Sequence, residues 1–343
     1  MSNDNKQKTI YDISQVAGVS IATVSRVINN SGNVSEKTKK KVIDVINQMD
    51  YAPNIFVRGL GTGSTKTIGI LCADVADMYL ANSVSFLERE LRKKGFDTIL
   101  NCTGYDLKEK IKGMRAMEQR KVDAVIMVGS HYVEASKAKN QYIVDTARRI
   151  PVMMQNGYID GENIYCVLSD DYEEFRNATQ YLIDKGARNI VFLYREETYS
   201  RNRKYNGYCD ALKANGIDFD EGMILQSNAR IQETKKDVET FFEQGKKADA
   251  ILACDDELAI GALKYLQEAG VSVPDDIMLI GCNNSVLSIT SAPELTSVDN
   301  LCEVLCITLV QSLMRILNDE KTANRTIISG HLVERGSTAG KRG

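Results

Sequence analysis

The stretch Thr9-Ile-Tyr-Asp12-Ile-Ser-Gln-Val-Ala-Gly18-Val-Ser20-Ile-Ala-Thr-Val-Ser-Arg26-Val-Ile-Asn-Asn30 decides how the N-terminal part of this chain folds. Ile10, Ile13, Val16 and Ala17 recur at helical spacing and give a first helix its apolar face. Thr9-x-x-Asp12 is a capping-box-like start, with Asp in place of the usual Glu or Gln. Gly18 relieves the backbone where the chain must turn, and Ser20 is a good N-cap for a second helix. In that helix Val24, Val27 and Ile28 face inward. Ala22, Ser25, Arg26 and Asn29 fall on the opposite face, with Ile21 at its N-terminal edge. A short helix with a polar, small-residue face fits the major groove of a DNA duplex. Ser35 then caps a third helix over 38–49, led by Lys37, Lys39, Lys40 and Lys41. The outline is a helix-turn-helix DNA reader.

Two amphipathic helices around a glycine also occur in plain helical bundles, so the charge distribution matters. Residues 1–66 carry nine Lys/Arg and five Asp/Glu, whereas the rest carries 34 and 41, for a net charge of −3 overall. A basic head on an acidic body suits a DNA partner at one end.

The segment resembles the headpiece of the LacI/GalR family of bacterial transcriptional regulators. The matching runs are Thr9-Ile-Tyr-Asp-Ile, Ala17-Gly-Val-Ser, Thr23-Val-Ser-Arg-Val-Ile-Asn29, Val34-Ser, Tyr51-Ala-Pro-Asn54 and Arg58-Gly-Leu60. The resemblance extends over roughly residues 9–338, through Lys66-Thr-Ile-Gly-Ile, Val122-Asp-Ala-Val-Ile, Gly207-Tyr-x-x-Ala-Leu, Asp256-x-x-Ala-x-Gly-Ala, Val273-Pro-Asp-Asp and Arg335-Gly-Ser-Thr. It implies a headpiece over 1–52, a hinge over 53–65 and an effector-binding, dimerising core over 66–343. Ile21 and Ala22 stand where the family reads base edges, with Arg26 a third reader. An Ile or Ala side chain can touch a thymine methyl and Arg can pair with guanine. Ser20, Ser25 and Asn29 suit phosphates. Asn54–Leu60, including Arg58, resembles the family's hinge helix, and Leu60 its minor-groove wedge. Gly59, Gly61 and Gly63 disfavour a helix by about 1 kcal/mol each relative to Ala, so that hinge is expected to order only on DNA.

Beyond residue 66, apolar runs alternate with amphipathic stretches. Strands are expected over 68–73, 98–100, 124–128, 152–154, 189–193, 250–253 and 277–280. Helices are expected over 83–94, 108–120, 173–185, 204–215, 231–244 and 257–269. Alternation of this kind implies parallel sheets with right-handed crossovers. The fold class is therefore α/β: a helix-turn-helix headpiece plus a two-lobed, periplasmic-binding-protein-like core of parallel doubly wound sheets. The N-subdomain is placed at 66–157 with about 290–320, and the C-subdomain at 158–289 with about 321–343.

Open α/β sheets bind ligands at the carboxyl ends of their strands. The corresponding loops put Asp77, Tyr79, His131, Asn156, Arg201, Arg203, Lys204, Asp255 and Asn283 at an interlobe cleft, where the resemblance places a small polar effector, a sugar or sugar derivative. Several positions depart from the family's usual residues. Asp77-Met-Tyr79-Leu80 stands for Asn-Pro-Phe-Phe, Lys204 for Arg, Asp255-Asp256 for Asn-Asp and Asn283 for an acidic residue. The aromatic lid often found near 228–230 is missing.

No apolar run approaches the ~18–20 residues of a membrane span, and Met1-Ser-Asn-Asp-Asn-Lys-Gln-Lys has no signal-peptide core, so a cytoplasmic protein is expected. Eight cysteines, most in apolar segments, read as buried thiols. With only His131 and His331 in the chain, neither a metal site nor a cofactor is expected. No phosphate loop or nucleophile elbow occurs, which argues against an enzyme. A pure ligand-binding protein would want a signal peptide and no basic head. Control by a protein partner in place of a sugar stays open. One headpiece spans few base pairs, so two are expected on a near-palindromic operator. The C-terminal residues carry no leucine heptad, which favours a homodimer.

Overall fold

The computed structural model describes residues 8–28, 32–49, 64–227 and 230–339. It forms two compact units, 1–67 and 68–343. The hinge residues Arg58 and Leu60, the segment 53–63 and Asn29 lie outside the described residues.

Among the described residues the first unit holds three helices: α1 (Ile10–Ala17), α2 (Ile21–Ile28) and α3 (Glu36–Gln48). Their apolar positions meet in one small core of Ile13, Ala17, Val24, Val27, Val42 and Val45. The Asp12 carboxylate accepts from the Thr9 backbone N–H at 2.7 Å, the acidic half of a capping box. Gly18 ends α1 in the left-handed region, φ 59°, which a residue without a Cβ adopts freely. Ser20 Oγ accepts from Thr23 N–H at 3.1 Å and opens α2. Val16 does not join the core: it is 55% exposed, because Ile13 and Ala17 already fill the narrow contact with α2 and α3.

The second unit contains twelve strands: β1 (Thr67–Cys72), β2 (Asp97–Cys102), β3 (Ala124–Val128), β4 (Val152–Gln155), β5 (Ile164–Ser169), β6 (Ile190–Tyr194), β7 (Ile224–Gln226), β8 (Ala250–Ala253), β9 (Met278–Cys282), β10 (Thr296–Asp299), β11 (Arg325–Ile328) and β12 (His331–Val333). Its helices are α4 (Met78–Lys93), α5 (Leu107–Gln119), α6 (Gln141–Ala147), α7 (Asp171–Asp184), α8 (Tyr199–Ala214), α9 (Ile231–Glu243), α10 (Asp256–Glu268), α11 (Val286–Thr290) and α12 (Cys302–Ile316). One sheet has the order β11-β5-β4-β3-β1-β2 and the other β12-β10-β9-β8-β6-β7. The central pairs are parallel, as β1–β3 and β8–β9 show, and β12 runs antiparallel to β10. Each sheet is covered on both faces, which is why its central strands are almost wholly apolar.

Two glycines expected from the motifs are explained by close approach. A Cβ on Gly207 of α8 would lie 2.2 Å from the Tyr172 carbonyl oxygen and 2.9 Å from the Arg176 nitrogen, so α7 and α8 touch backbone to backbone. On α10, a Cβ on Gly261 would lie 2.5 Å from Thr234 Cβ of α9.

The lobe boundaries differ from the sequence-based ones. β5 pairs with β4, so the first crossing comes after Ser169 and not after residue 157. β10 pairs with β9, so residues 290–299 belong to the second lobe and the return comes after Asp299. β11 pairs with β5, so the first lobe keeps the chain to Ile328, beyond residue 320. For β10 and β11 the cause is composition. Thr296-Ser-Val-Asp299 and Arg325-Thr-Ile-Ile328 are short and half polar, so an apolar-run criterion passes over them.

The crossings are braced by one buried side chain. Glu174 Oε1 accepts from Ser169 Oγ at 2.6 Å and from Gly330 N–H at 2.9 Å. A Cβ on Gly330 would lie 2.1 Å from the Asp299 carbonyl oxygen. Ser169, Asp299 and Gly330 each belong to a different crossing. Burial, followed by the nearby Asp171 charge, raises the Glu174 carboxyl to about 7, against the lowering effect of its Ser169 and Gly330 hydrogen bonds and of Lys204.

Candidate functional sites: a helical DNA-reading face and an interlobe cleft

On the first unit the expected reading face is open. Ser20, Ile21, Ala22 and Arg26 are exposed, and Ser25 is half-buried. Ile21 is 38% exposed, while Val24 and Val27 on the other side of α2 are inside. The local sequence thus separates a packing stripe from a contact stripe within eight residues.

On the second unit, the carboxyl ends of both sheets line a cleft of about 530 Å³. Eight of the nine expected residues line it: Asp77, Tyr79, His131 and Asn156 from the first lobe, Arg201, Lys204, Asp255 and Asn283 from the second. Arg203 does not. Residues 199–214 are already helical, so Arg203 is turned about 100° from Lys204. Its guanidinium stands 3.4 Å from Asp170 and over the Tyr172 ring, outside the cleft.

Each lining side chain has a definable state. Asp77 caps α4, accepting from Leu80 N–H at 2.9 Å. Burial raises its pKa, as does Asp255 across the cleft, while the Leu80 hydrogen bond and Arg195 lower it. Asn156, at φ 55°, donates to Tyr79 Oη at 2.7 Å and accepts from Ser169 N–H at 2.8 Å, so its role in the cleft wall is to hold Tyr79. His131 Nε2 lies 3.5 Å from Glu196 Oε2 across the cleft, and its ring meets Tyr105 edge-on. Burial lowers its pKa more than Glu196 raises it, which favours the neutral ring.

On the second lobe, Lys204 Nζ donates to the Cys254 carbonyl at 3.0 Å and to Cys282 Sγ at 3.4 Å, and lies 3.8 Å from Asp171. Burial alone would lower its pKa, but Cys282 and Asp171 hold it above the usual range. Asp255 caps α10 and pairs with Arg195 at 3.3 Å. The neighbouring Asp256 is structural: it accepts from Ser285 N–H, Ser285 Oγ and Ser297 Oγ at 2.6–2.8 Å. Burial, then those bonds in opposition, leave its pKa near 6. Asn283, at φ 92°, accepts from Asn300 Nδ2 at 2.9 Å.

Sequence reasoning missed Asp171, Arg195, Glu196 and Asn300, all of which line the cleft. Arg195 and Glu196 follow β6 directly, in a loop already placed at the cleft. Asp171 and Asn300 follow β5 and β10, so recognising those two strands would have found them.

A family model for the bacterial regulatory proteins, lacI family, matches residues 9–54, and one for a periplasmic binding protein-like domain matches 179–338. The chain is 46% identical over 329 residues to an HTH-type transcriptional regulator of Lachnoclostridium phytofermentans, spanning 96% of this chain and 99% of that protein. This chain belongs to the LacI family. It is a DNA-binding transcriptional regulator, and not an enzyme. Catabolite control protein A of Streptococcus mutans is 30% identical over 98% of this chain and 99% of its own length. Among solved structures, a transcriptional regulator CelR–cellobiose complex superposes with TM-score 0.71 at 25% identity, covering 96% of this chain and 99% of that one. The Lac repressor dimer bound to operator and an anti-inducer has the same fold, with TM-score 0.86 at 20% identity over 97% of this chain and 99% of that chain. Among the described residues of this LacI-family chain, no cluster of three or more His, Cys, Asp or Glu could hold a metal ion. Nor is any described helix long and apolar enough to cross a membrane.

Proposed function

We propose that this regulator is a cytoplasmic repressor that binds a near-palindromic operator as a homodimer and is controlled by a small polyhydroxylated ligand, a sugar or sugar derivative, held between the lobes. One observation carries the ligand reading. Seven buried side-chain polar atoms among the described residues make no hydrogen bond to the protein, and four belong to cleft residues: His131 Nδ1, Asp171 Oδ1, Arg201 Nε and Asn300 Oδ1. Native proteins rarely leave such atoms unpaired away from a functional site. The residues that carry them line the cleft from both lobes, and hydroxyl groups, which both donate and accept, suit such a mixed set. The resemblance to the CelR–cellobiose complex supports the same reading.

The mechanism follows from differential binding. A ligand touching His131 on one lobe and Asp171 and Arg201 on the other binds the closed arrangement better than the open one, and so shifts their populations. A tenfold change in operator affinity needs about 1.4 kcal/mol of coupling. On DNA, Ile21, Ala22 and Arg26 read bases, while Ser20, Ser25 and Asn29 hold phosphates; Arg58 and Leu60 engage the minor groove through the hinge. The test is a thermal-shift screen of a carbohydrate library, followed by operator gel shifts with any stabiliser. A sugar that raises the melting temperature and changes operator affinity is expected. A response to no sugar, with a response to a protein from the same cell, would overturn the ligand reading.

A further inference from the structure

The charge of the cleft goes further than its shape. Eight carboxyl side chains line it against three cations, Arg195, Arg201 and Lys204. The cations are engaged by the protein. The Arg195 guanidinium lies 3.3 Å from Asp255 and 3.0 Å from Glu257. Lys204 is held by the Cys254 carbonyl, Cys282 and Asp171. The Arg201 guanidinium lies 4.0 Å from the Tyr194 ring centroid and 4.7 Å from that of Tyr205.

The acceptors are less well matched. Asn300 is 2% exposed, lines the cleft, and its Oδ1 accepts from no protein donor; Asp171, 3% exposed, has an Oδ1 without a hydrogen bond that faces only the Lys204 ammonium at 3.8 Å. Glu196 faces His131, whose buried ring favours the neutral form. Asp77 faces a like charge on the opposite lobe. A cavity walled by one sign of charge raises the local concentration of the opposite sign and repels its own. Buried acceptors need donors, and an ammonium group supplies three donors and no acceptor.

We propose that the cleft selects a ligand carrying a protonated amine, an amino sugar, and rejects sugar phosphates and sugar acids. The proposal rests on the reading of the cleft as a sugar site, and deepens it. The ring hydroxyls meet His131 Nδ1, Arg201 Nε and Asn300 Oδ1, and the ammonium lies beside Asp77 and Glu196. The regulator then reads its sugar before any phosphorylation, because a phosphate would add charge to a wall that is already negative.

The experiment uses the full-length protein and calorimetric titration. The probes are glucosamine, galactosamine and mannosamine, their neutral parents glucose, galactose and mannose, glucose 6-phosphate, glucuronate, and putrescine as an amine without a ring. One amino sugar should bind about tenfold or more tightly than its parent, with an advantage that shrinks as salt is raised. Asp77→Asn and Glu196→Gln should each lower the ratio of amino-sugar to parent affinity, with melting curves reporting that the variants are folded. A neutral parent that binds as tightly as its amine overturns the proposal and leaves the sugar reading standing. So does tight binding of glucose 6-phosphate or glucuronate. Binding of putrescine alone, or of none of these probes, overturns the sugar reading and the proposal together.

Discussion

Glu174 shows how one side chain can report on a fold. Its carboxyl sits near 7 when folded against an ordinary 4.5, because burial disfavours its charge. A raised carboxyl binds its proton more tightly in the native state, so its charge costs stability as pH rises from about 4.5 through about 7, and costs nothing below that window. That interval corresponds to about 3 kcal/mol at most. Glu174→Gln keeps an oxygen for Ser169 and Gly330 and removes the charge. It should stabilise the protein by about 1–3 kcal/mol at about pH 8 and change little at about pH 4; a denaturant melt at each pH measures this, and equal effects at both would refute the account. On the other unit, Arg26→Ala should cost about 1–3 kcal/mol of operator binding and relax discrimination at one base pair. An equal loss on random duplex would mean that Arg26 touches only phosphate.

At the scale of elements, the sequence was most legible where one periodicity served one face. The helices of the headpiece, the caps Ser20 and Ser35, and the central strands β1, β3 and β8 stand where patterning put them. The outer strands β5, β7, β10, β11 and β12 were not legible. β10 buries Thr296, Ser297 and Val298, and its hydroxyls are satisfied by distant partners such as Thr338 and Asp256, which no local pattern can announce. Arg203 was misplaced for a related reason: α8 begins at Tyr199 with the mostly polar run Tyr199-Ser-Arg-Asn-Arg-Lys204, and only the helix start decides which basic residue turns inward.

The same helix yields a test of packing. Gly207→Ala would drive a methyl group into backbone atoms of α7 that cannot yield locally. It should cost about 1–3 kcal/mol and, by moving Arg201 and Lys204, weaken ligand binding as well. A melting temperature unchanged from the parent would show that the two helices do not meet as described.

For the whole molecule, the division at residues 67 and 68 makes a prediction about independence. Removal of residues 1–62 should leave a folded core that retains the cleft and shifts no operator duplex. A circular-dichroism melt and a gel shift on the truncated chain check both halves of that statement, and specific DNA binding by the core would overturn the assignment of reading to α2.

The three crossings also set an order of events during synthesis. The headpiece core is complete once residue 45 has left the ribosome, because all six of its buried residues lie before that point. The first lobe begins at β1, yet Leu305, Leu309 and Leu313 of α12 cover one of its faces, and β11 closes its edge only at residues 325–328. For most of translation, then, a finished DNA-reading head trails a half-built lobe whose apolar face is bare. A message broken before residue 300 would release a chain with its headpiece intact and its core unable to close, which gives the cell's chaperones and proteases an apolar surface by which to recognise it.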